Sequence, residues 1–239
     1  MSVSYGLSVV TSNLVLYLDA VNSKSNNGTT TWYDLSPSKT NGSMYGTVPT
    51  STDGGGCFDF STVTGANSSA ASLGFTFSSN MIPTTGSFTL CTWIKNPPAT
   101  VGQCGMFSNA GGADGFRFGV GCNACYVLNS GAGAVGYSEP ALSFNSTLNT
   151  TSWYNVVMIF DRANATPQWN LYLNGVYQTA TNMAANANTA FSNTAPGLVR
   201  SACCGLYTGK LATFSAYSRA LSAAEILQNF VALRGRFGL

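Results

Sequence analysis

Apolar and polar residues alternate with a period of two over short stretches broken by Gly-, Asn- and Ser-rich turns, and the pattern is sharpest in the last third of the chain. There WYNVVMIFDR (153–162), QWNLYLNGVYQ (168–178) and YTGKLATFSAYSRALSAAEILQNF (207–230) read as three strand-type units followed by a capped helix. Strands in tight succession, joined by short turns and closed by one helix, predict a large antiparallel sandwich. Asn174-Gly175, between LYL and VYQ, is the strongest hairpin signal, because a two-residue type I′ turn needs positive φ at both positions.

Earlier in the chain, NLVLYL (13–18) reads as a strand ended by Asp19, WYDL (32–35) as a short apolar patch, and CFDF (57–60), after three glycines, as a buried strand. Residues 61–85 read as loops around one short strand at Leu73 to Phe77. In SFTLCTWIK (87–95), Phe88, Leu90, Thr92 and Ile94 point one way and Thr89, Cys91, Trp93 and Lys95 the other. Large apolar residues on both faces suit a central strand covered on one side by the partner sheet and on the other by loops. MFS, FRFGVG (116–121) and CYVLN (125–129) form a meander, Ala141 to Asn145 another strand, and Leu211 to Tyr217 the last. Ser222 and Glu225 form a capping box, in which the Ser222 hydroxyl accepts from the Glu225 N–H and the Glu225 carboxylate from the Ser222 N–H. Ile226, Leu227, Phe230 and Leu233 supply the apolar stripe, and Gly235 marks the helix end.

These segments resemble a family. LVLYLDA (14–20), TTTWYDLSPSKTNGSMYG (29–46), CFDF after its glycine run, SFTLCTWIK, WYNVVMIFDR, LYLNGVY and the closing segment from Tyr207 to Phe230 are similar, in the same order, to the laminin-G-like, concanavalin A-like jelly-roll domains. The match runs from about residue 7 to 239. It implies one domain over 1–239, an all-β antiparallel two-sheet jelly-roll sandwich with one short C-terminal helix, commonly a binding or structural module. The wording looks most like versions found in structural proteins of tailed phages and large DNA viruses. The usual second Asp after the glycine run is missing, which weakens a carboxylate ion site near Asp59.

Composition narrows the function. Charged residues make up 8% of the 239, against roughly 25% in an ordinary soluble domain. A folded chain of this size exposes about 10,000 Å², so its surface is mostly hydroxyl, amide and apolar, as suits a protein packed into an assembly or working outside a cell. A net charge of +2, with no Lys/Arg cluster beyond Arg234 and Arg236, argues against nucleic acid. The longest apolar run, Val156 to Phe160, is too short to span a membrane. No basic residue precedes Lys24, so a signal-peptide start is not expected.

Catalytic chemistry finds little support. With no histidine, neither a Ser-His-Asp triad nor an imidazole-activated cysteine is available. Glycoside hydrolysis needs two carboxyl groups facing one bond, and the acids are Asp19, Asp34, Asp53, Asp59, Asp114, Glu139, Asp161 and Glu225, of which only Asp53 and Asp59 lie close in sequence. Glu139 and Asp161 are the residues a hydrolase reading would rest on. GGADGFRFG reads as a hairpin turn rather than a phosphate cradle.

The seven cysteines leave three readings open. Cys122-x-x-Cys125 with the vicinal Cys203-Cys204 has the number of thiolates for zinc but not the usual spacing. Cys104, Cys122, Cys125, Cys203 and Cys204 are candidates for disulfides or a thiol cluster. Cys57 and Cys91, inside apolar strands, are expected as free packed thiols. No cofactor is expected; the resemblance implies calcium as a candidate, since laminin-G-type domains sometimes hold one at a loop edge, with Asp19 and Asp161 at strand ends where each equally caps a turn. The N-x-Ser/Thr triplets at Asn27, Asn41, Asn67, Asn145, Asn149 and Asn164 occur at the frequency chance gives in so Asn-, Ser- and Thr-rich a chain. Trp32, Trp93, Trp153 and Trp169 sit in strand-like contexts and read as core.

Two functions stand beside each other at this stage. The leading expectation is a non-enzymatic virion structural protein, capsid-surface, neck or tail-associated, packing against other virion proteins and against itself as a homo-oligomer. The alternative is a carbohydrate-binding adhesin at the cell surface or outside the cell, recognising host or environmental glycans through loops at one sandwich edge.

Overall fold

A computed structural model describes residues 7–61, 73–98, 105–108, 115–122, 124–130, 141–163, 166–182, 196–199 and 207–239. The strands are β1 (Leu14–Asp19), β2 (Thr31–Trp32), β3 (Gly42–Tyr45), β4 (Thr50–Ser51), β5 (Cys57–Asp59), β6 (Gly74–Phe77), β7 (Phe88–Lys95) and β8 (Gly105–Ser108), then β9 (Gly115–Val120), β10 (Ala124–Ser130), β11 (Ala141–Ser143), β12 (Trp153–Asp161), β13 (Gln168–Leu173), β14 (Val176–Asn182), β15 (Gly197–Leu198) and β16 (Lys210–Tyr217). One α-helix among the described residues, α1 (Ala223–Arg234), follows. One sheet runs β14-β13-β12-β7-β16-β5-β4, with β1 also on β16; the other runs β11-β10-β9-β8-β15-β6-β3-β2. All pairings are antiparallel. The expected two-sheet jelly roll with its C-terminal helix is what forms.

The core lies between the sheets. Phe88, Leu90 and Ile94 of β7, Val156, Met158 and Phe160 of β12, and Leu211, Phe214 and Ala216 of β16 meet Phe75, Met106, Phe107 and Phe118 of the other sheet. Trp32, Phe58 and Phe75 pack ring on ring, with centroids 4.7 to 4.9 Å apart. The period-two reading of β7 therefore assigns its inner face correctly.

The outer face of the first sheet is just as apolar, and α1 covers it, not loops. Cys91, Val157, Ile159 and Tyr217 pack under Ile226, while Trp93, Trp153 and Ala212 pack under Phe230 and Phe237. Trp93 stacks on Phe237 at 4.1 Å and 14° and on Phe230 at 5.7 Å and 12°. A bulge in β16 between Leu211 and Thr213 sets Ala212 and Thr213 outward before Phe214 turns back to the core.

The helix stripe differs from the expected one. Ile226 and Phe230 are buried, but Leu227 is 50% exposed, and Asn229 takes the third buried position. Asn229 is there to satisfy backbone: its Oδ1 accepts from the Val10 N–H at 2.7 Å, and its Nδ2 donates to Tyr217 Oη, which donates to the Val10 carbonyl. Gly235 ends α1 with right-handed φ/ψ; the chain runs on through a 3-10 turn, and Gly238, at φ 76°, makes the left-handed exit. Asn174 and Gly175 take φ of 50° and 78°, as the hairpin requires. Asp34 explains the WYDLS segment: both its carboxylate oxygens accept from the chain, Oδ1 from the Tyr17 and Ser36 N–H groups and Oδ2 from the Thr40 N–H, knotting residues 34–40 onto β1.

The capping box forms as expected, with Glu225 N–H to Ser222 Oγ 3.3 Å and Ser222 N–H to Glu225 Oε2 2.9 Å. Arg219 adds a two-pronged ion pair to Glu225. That pair first, and the Ser222 N–H second, hold the Glu225 carboxyl down at about 2. An unpaired glutamate titrates near ~4.3, so this stabilisation is complete above that pH and is lost as the pH falls toward 2. Ser222→Ala is expected to cost about 1 kcal/mol in urea unfolding at pH 7, and Glu225→Gln to cost more at pH 7 than at pH 3. Equal losses at both pH values would contradict the pairing.

Candidate functional site

The glycine run before β5 builds the most distinctive polar site. Asp53, Gly54 and Gly55 form one 3-10 turn, with Gly54 at φ 59° and Gly55 at φ 79°. A Cβ on Gly54 would lie 2.8 Å from the indole of Trp153. The absence of a side chain lets this turn lie against the ring that opens β12. Asp53 then accepts from Trp153 Nε1 at 3.1 Å through one oxygen and binds Lys95 and Lys210 Nζ, each at 2.9 Å, through the other. Asp59 stands 3.7 Å from the same Lys210.

Arg236 completes the wall. Its guanidinium donates to the Gly54 carbonyl at 2.6 Å, the Gly56 carbonyl at 2.7 Å and Asp19 Oδ1 at 2.7 Å, so the segment after α1 is clamped to the glycine turn. Phe237, stacked on Trp93, also meets Trp153 at 4.9 Å. Between these groups opens a pocket of about 390 Å³, lined by Asp53, Lys95, Ser152, Trp153, Arg236 and Phe237 among others. Partial burial alone would raise the Asp53 carboxyl, but hydrogen bonds from Lys95, Lys210 and Trp153 outweigh it and hold Asp53 well below the usual carboxylate range. Lys210 is raised, first by its bond to Asp53.

The candidate residues named from the sequence fall elsewhere. Cys122 and Cys125 are buried free thiols, as are Cys57 and Cys91; no disulfide joins Cys122 to Cys125. Cys122 Sγ donates to the Pro97 carbonyl at 3.2 Å, and Cys125 lies in the core. Cys104, Cys203 and Cys204 lie outside the described residues, as do Asp114 and Glu139. Burial pushes the Cys57 thiol up to about 11 and Cys91 to about 12, which makes both poor nucleophiles. Asp161 caps a turn at the Ala163 N–H, and Asp19 caps Val21 and pairs with Arg236. Among the described residues, no three Cys, Asp or Glu side chains gather as a metal site and no helix is long and apolar enough to cross a membrane. Trp32, Trp93, Trp153 and Trp169 are all buried, as expected of core.

A family profile of the concanavalin A-like lectin/glucanases superfamily matches residues 64–227. The chain belongs to this superfamily. Solved structures agree. The binding domain of Paraclostridial Mosquitocidal Protein 1 superposes with a TM-score of 0.66 at 14% identity, covering 91% of this chain and 52% of that one. Domain 4 of AbnA, a GH43 extracellular arabinanase from Geobacillus stearothermophilus solved with arabinotriose, gives 0.64 at 12%, covering 92% and 99%. The binding domain of botulinum neurotoxin DC, solved with SialylT, gives 0.64 at 15%, covering 92% and 52%. The chain thus spans about half the length of the toxin binding domains and nearly all of the arabinanase domain. At these identities the likeness is one of fold. Comparison with curated proteins gives no match.

The sequence reading passed over Asp53, Lys95, Lys210 and Arg236. Their one local sign was the glycine run, in which Gly56 takes φ 148° and a Cβ on Gly54 would meet the Trp153 indole. Asp53→Asn is expected to lower stability by about 1 kcal/mol at pH 7. Because the folded carboxyl is depressed, that difference shrinks as the pH falls through about 4; unfolding at pH 7 and pH 3 checks it, and a pH-independent difference would contradict the charge pairing.

Proposed function

We propose that residues 1–239 act as one non-catalytic saccharide-binding module whose ligand seats in the pocket beside Trp153. The observation that carries this reading is the fixed donor–acceptor array at that pocket. Sugar hydroxyls need a donor and an acceptor held close together. Asp53 supplies an acceptor pinned by three donors, Lys95 keeps ammonium protons beyond its bond to Asp53, and Ser152 and Thr151 add hydroxyls beside the apolar edge of Phe237. The site is a shallow, open cleft of about 390 Å³, so a ligand seated there keeps much of its surface in water. The fold shared with an arabinanase domain solved with arabinotriose is consistent with this use.

Hydrolysis is disfavoured by the same geometry. A general acid needs a raised carboxyl, whereas Asp53 is held ionised by two ammoniums. Calcium has no part in this reading, since Asp19 and Asp161 each serve a turn.

A second reading rests on the surface. Eight acidic and ten basic residues serve 10077 Å², and Val176, Tyr177 and Leu227 stand exposed at 62%, 49% and 50%. So lightly charged an exterior suits packing against copies of itself or other proteins in a virion. Localisation to a particle belongs to this reading, and to the cell surface or exterior with the first.

Isothermal titration with arabinotriose, following a glycan array, tests the leading proposal. Binding is expected, and Lys95→Met is expected to weaken it about tenfold or more, as loss of a hydrogen bond from a charged group does. No saccharide bound on the array, or full affinity in Lys95→Met, would overturn it.

A further inference from the structure

We propose, resting on the saccharide-binding reading, that the pocket selects uncharged saccharides and rejects those carrying carboxylate or sulfate. Among the described residues, the two cations in its lining, Lys95 and Arg236, are already matched, and so is Lys210 behind them. Lys95 and Lys210 share Asp53, and Lys210 also faces Asp59. Arg236 gives one N–H of Nη1 to Asp19, and its Nε and one N–H of Nη2 to the Gly54 and Gly56 carbonyls, so its charge is matched by Asp19 and three of its five N–H groups are taken. Three carboxylates stand against three cations.

An anionic sugar entering this space meets Asp53, which stays ionised across the whole physiological range. It either sits beside that like charge in a partly desolvated site or displaces Asp53 from Lys95, leaving a carboxylate whose remaining partners are Lys210 and Trp153. A neutral polyol meets neither cost. It takes the ammonium protons Lys95 has spare and the hydroxyls at 151 and 152, and leaves the ion pairs in place. Charge compensation, with hydrogen-bonding capacity retained, is what separates the two classes.

The test titrates the full chain at low ionic strength with arabinotriose, trigalacturonic acid and a sialylated trisaccharide, in wild type and in Asp59→Asn. Asp59 lies behind Lys210 and outside the pocket lining. Wild type is expected to bind arabinotriose at least tenfold more tightly than either acid. Asp59→Asn is expected to leave arabinotriose within twofold and to strengthen the acids several-fold. Equal or tighter binding of an acid by wild type would overturn the selectivity while leaving the saccharide reading standing; binding of none of the three, with an empty glycan array, would overturn both.

A separate observation carries a second inference. Under α1, on the outer face of the first sheet, lies a partly enclosed space of about 20 Å³ lined by Cys91, Trp93, Asn155, Thr213, Ser215 and Tyr217 among others. Trp93 Nε1 and Asn155 Oδ1 are buried without a protein partner, and the two residues are direct cross-strand partners in the β7–β12 ladder. We infer that this seam binds one internal water, which accepts from the indole N–H and donates to the amide oxygen. One water needs about 10–15 Å³ of such space and two to four polar partners, and Ser215 and Thr213 stand at hand to complete the set. Water-to-indole magnetisation transfer in a ¹⁵N-labelled sample is expected to show a long-lived water at Trp93 Nε1–H and none at Trp32, whose N–H lies in the apolar core. No transfer to Trp93 would overturn the inference.

Discussion

Trp93 sits in the middle of a strand that is apolar on both faces, and the structure depends on that face being covered a second time. The inner side of β7 meets the opposite sheet; the outer side would face water were it not for Phe230 and Phe237 stacked across the indole. A ring of this size buries on the order of 150–250 Å², so the helix and the turn after it are held by the sheet rather than by their own propensity. Position follows from that contact. With Phe237 fixed on Trp93, Arg236 lands on the glycine turn and clamps it, and the turn in turn aims Asp53 at Trp153, Lys95 and Lys210.

The pocket is therefore a rim effect of packing. Its polar groups come from 3-10 turn, β7, β12, β16 and the segment after α1, parts of the chain 157 positions apart at the Asp53–Lys210 bond. Each charged group is fixed by another before any ligand arrives, which is the arrangement that lowers the ordering cost of binding. It is also an arrangement poorly suited to proton transfer, since Asp53 is held in its ionised form by two ammoniums.

Much of the frame was legible because its signals are local. Asn174-Gly175 fixes its hairpin through φ alone, Ser222 and Glu225 carry a cap across three residues, and the alternation in β7 names both its faces. What covers the outer face was not legible, because nothing local distinguishes a loop from a helix arriving from 130 residues downstream. The same reason hides Asp53: its neighbours in sequence are glycines, and its partners are Lys95, Trp153 and Lys210. Gly235 does end α1, but with right-handed φ/ψ; the left-handed exit comes at Gly238, and Arg236 and Phe237 reach their partners between the two. Leu227 looked like core by spacing, yet Asn229 holds the inner position because the Val10 backbone needs hydrogen bonds there.

The saccharide proposal places the ligand at the Trp153 corner. Indole N–H resonances of the four tryptophans, followed during titration with arabinotriose, report on it directly. The account predicts a saturable shift of Trp153, whose N–H bonds to Asp53, with Trp32 and Trp169 unmoved in the core between the sheets. A saturable titration in which Trp153 stays fixed would place the ligand elsewhere and contradict the central claim.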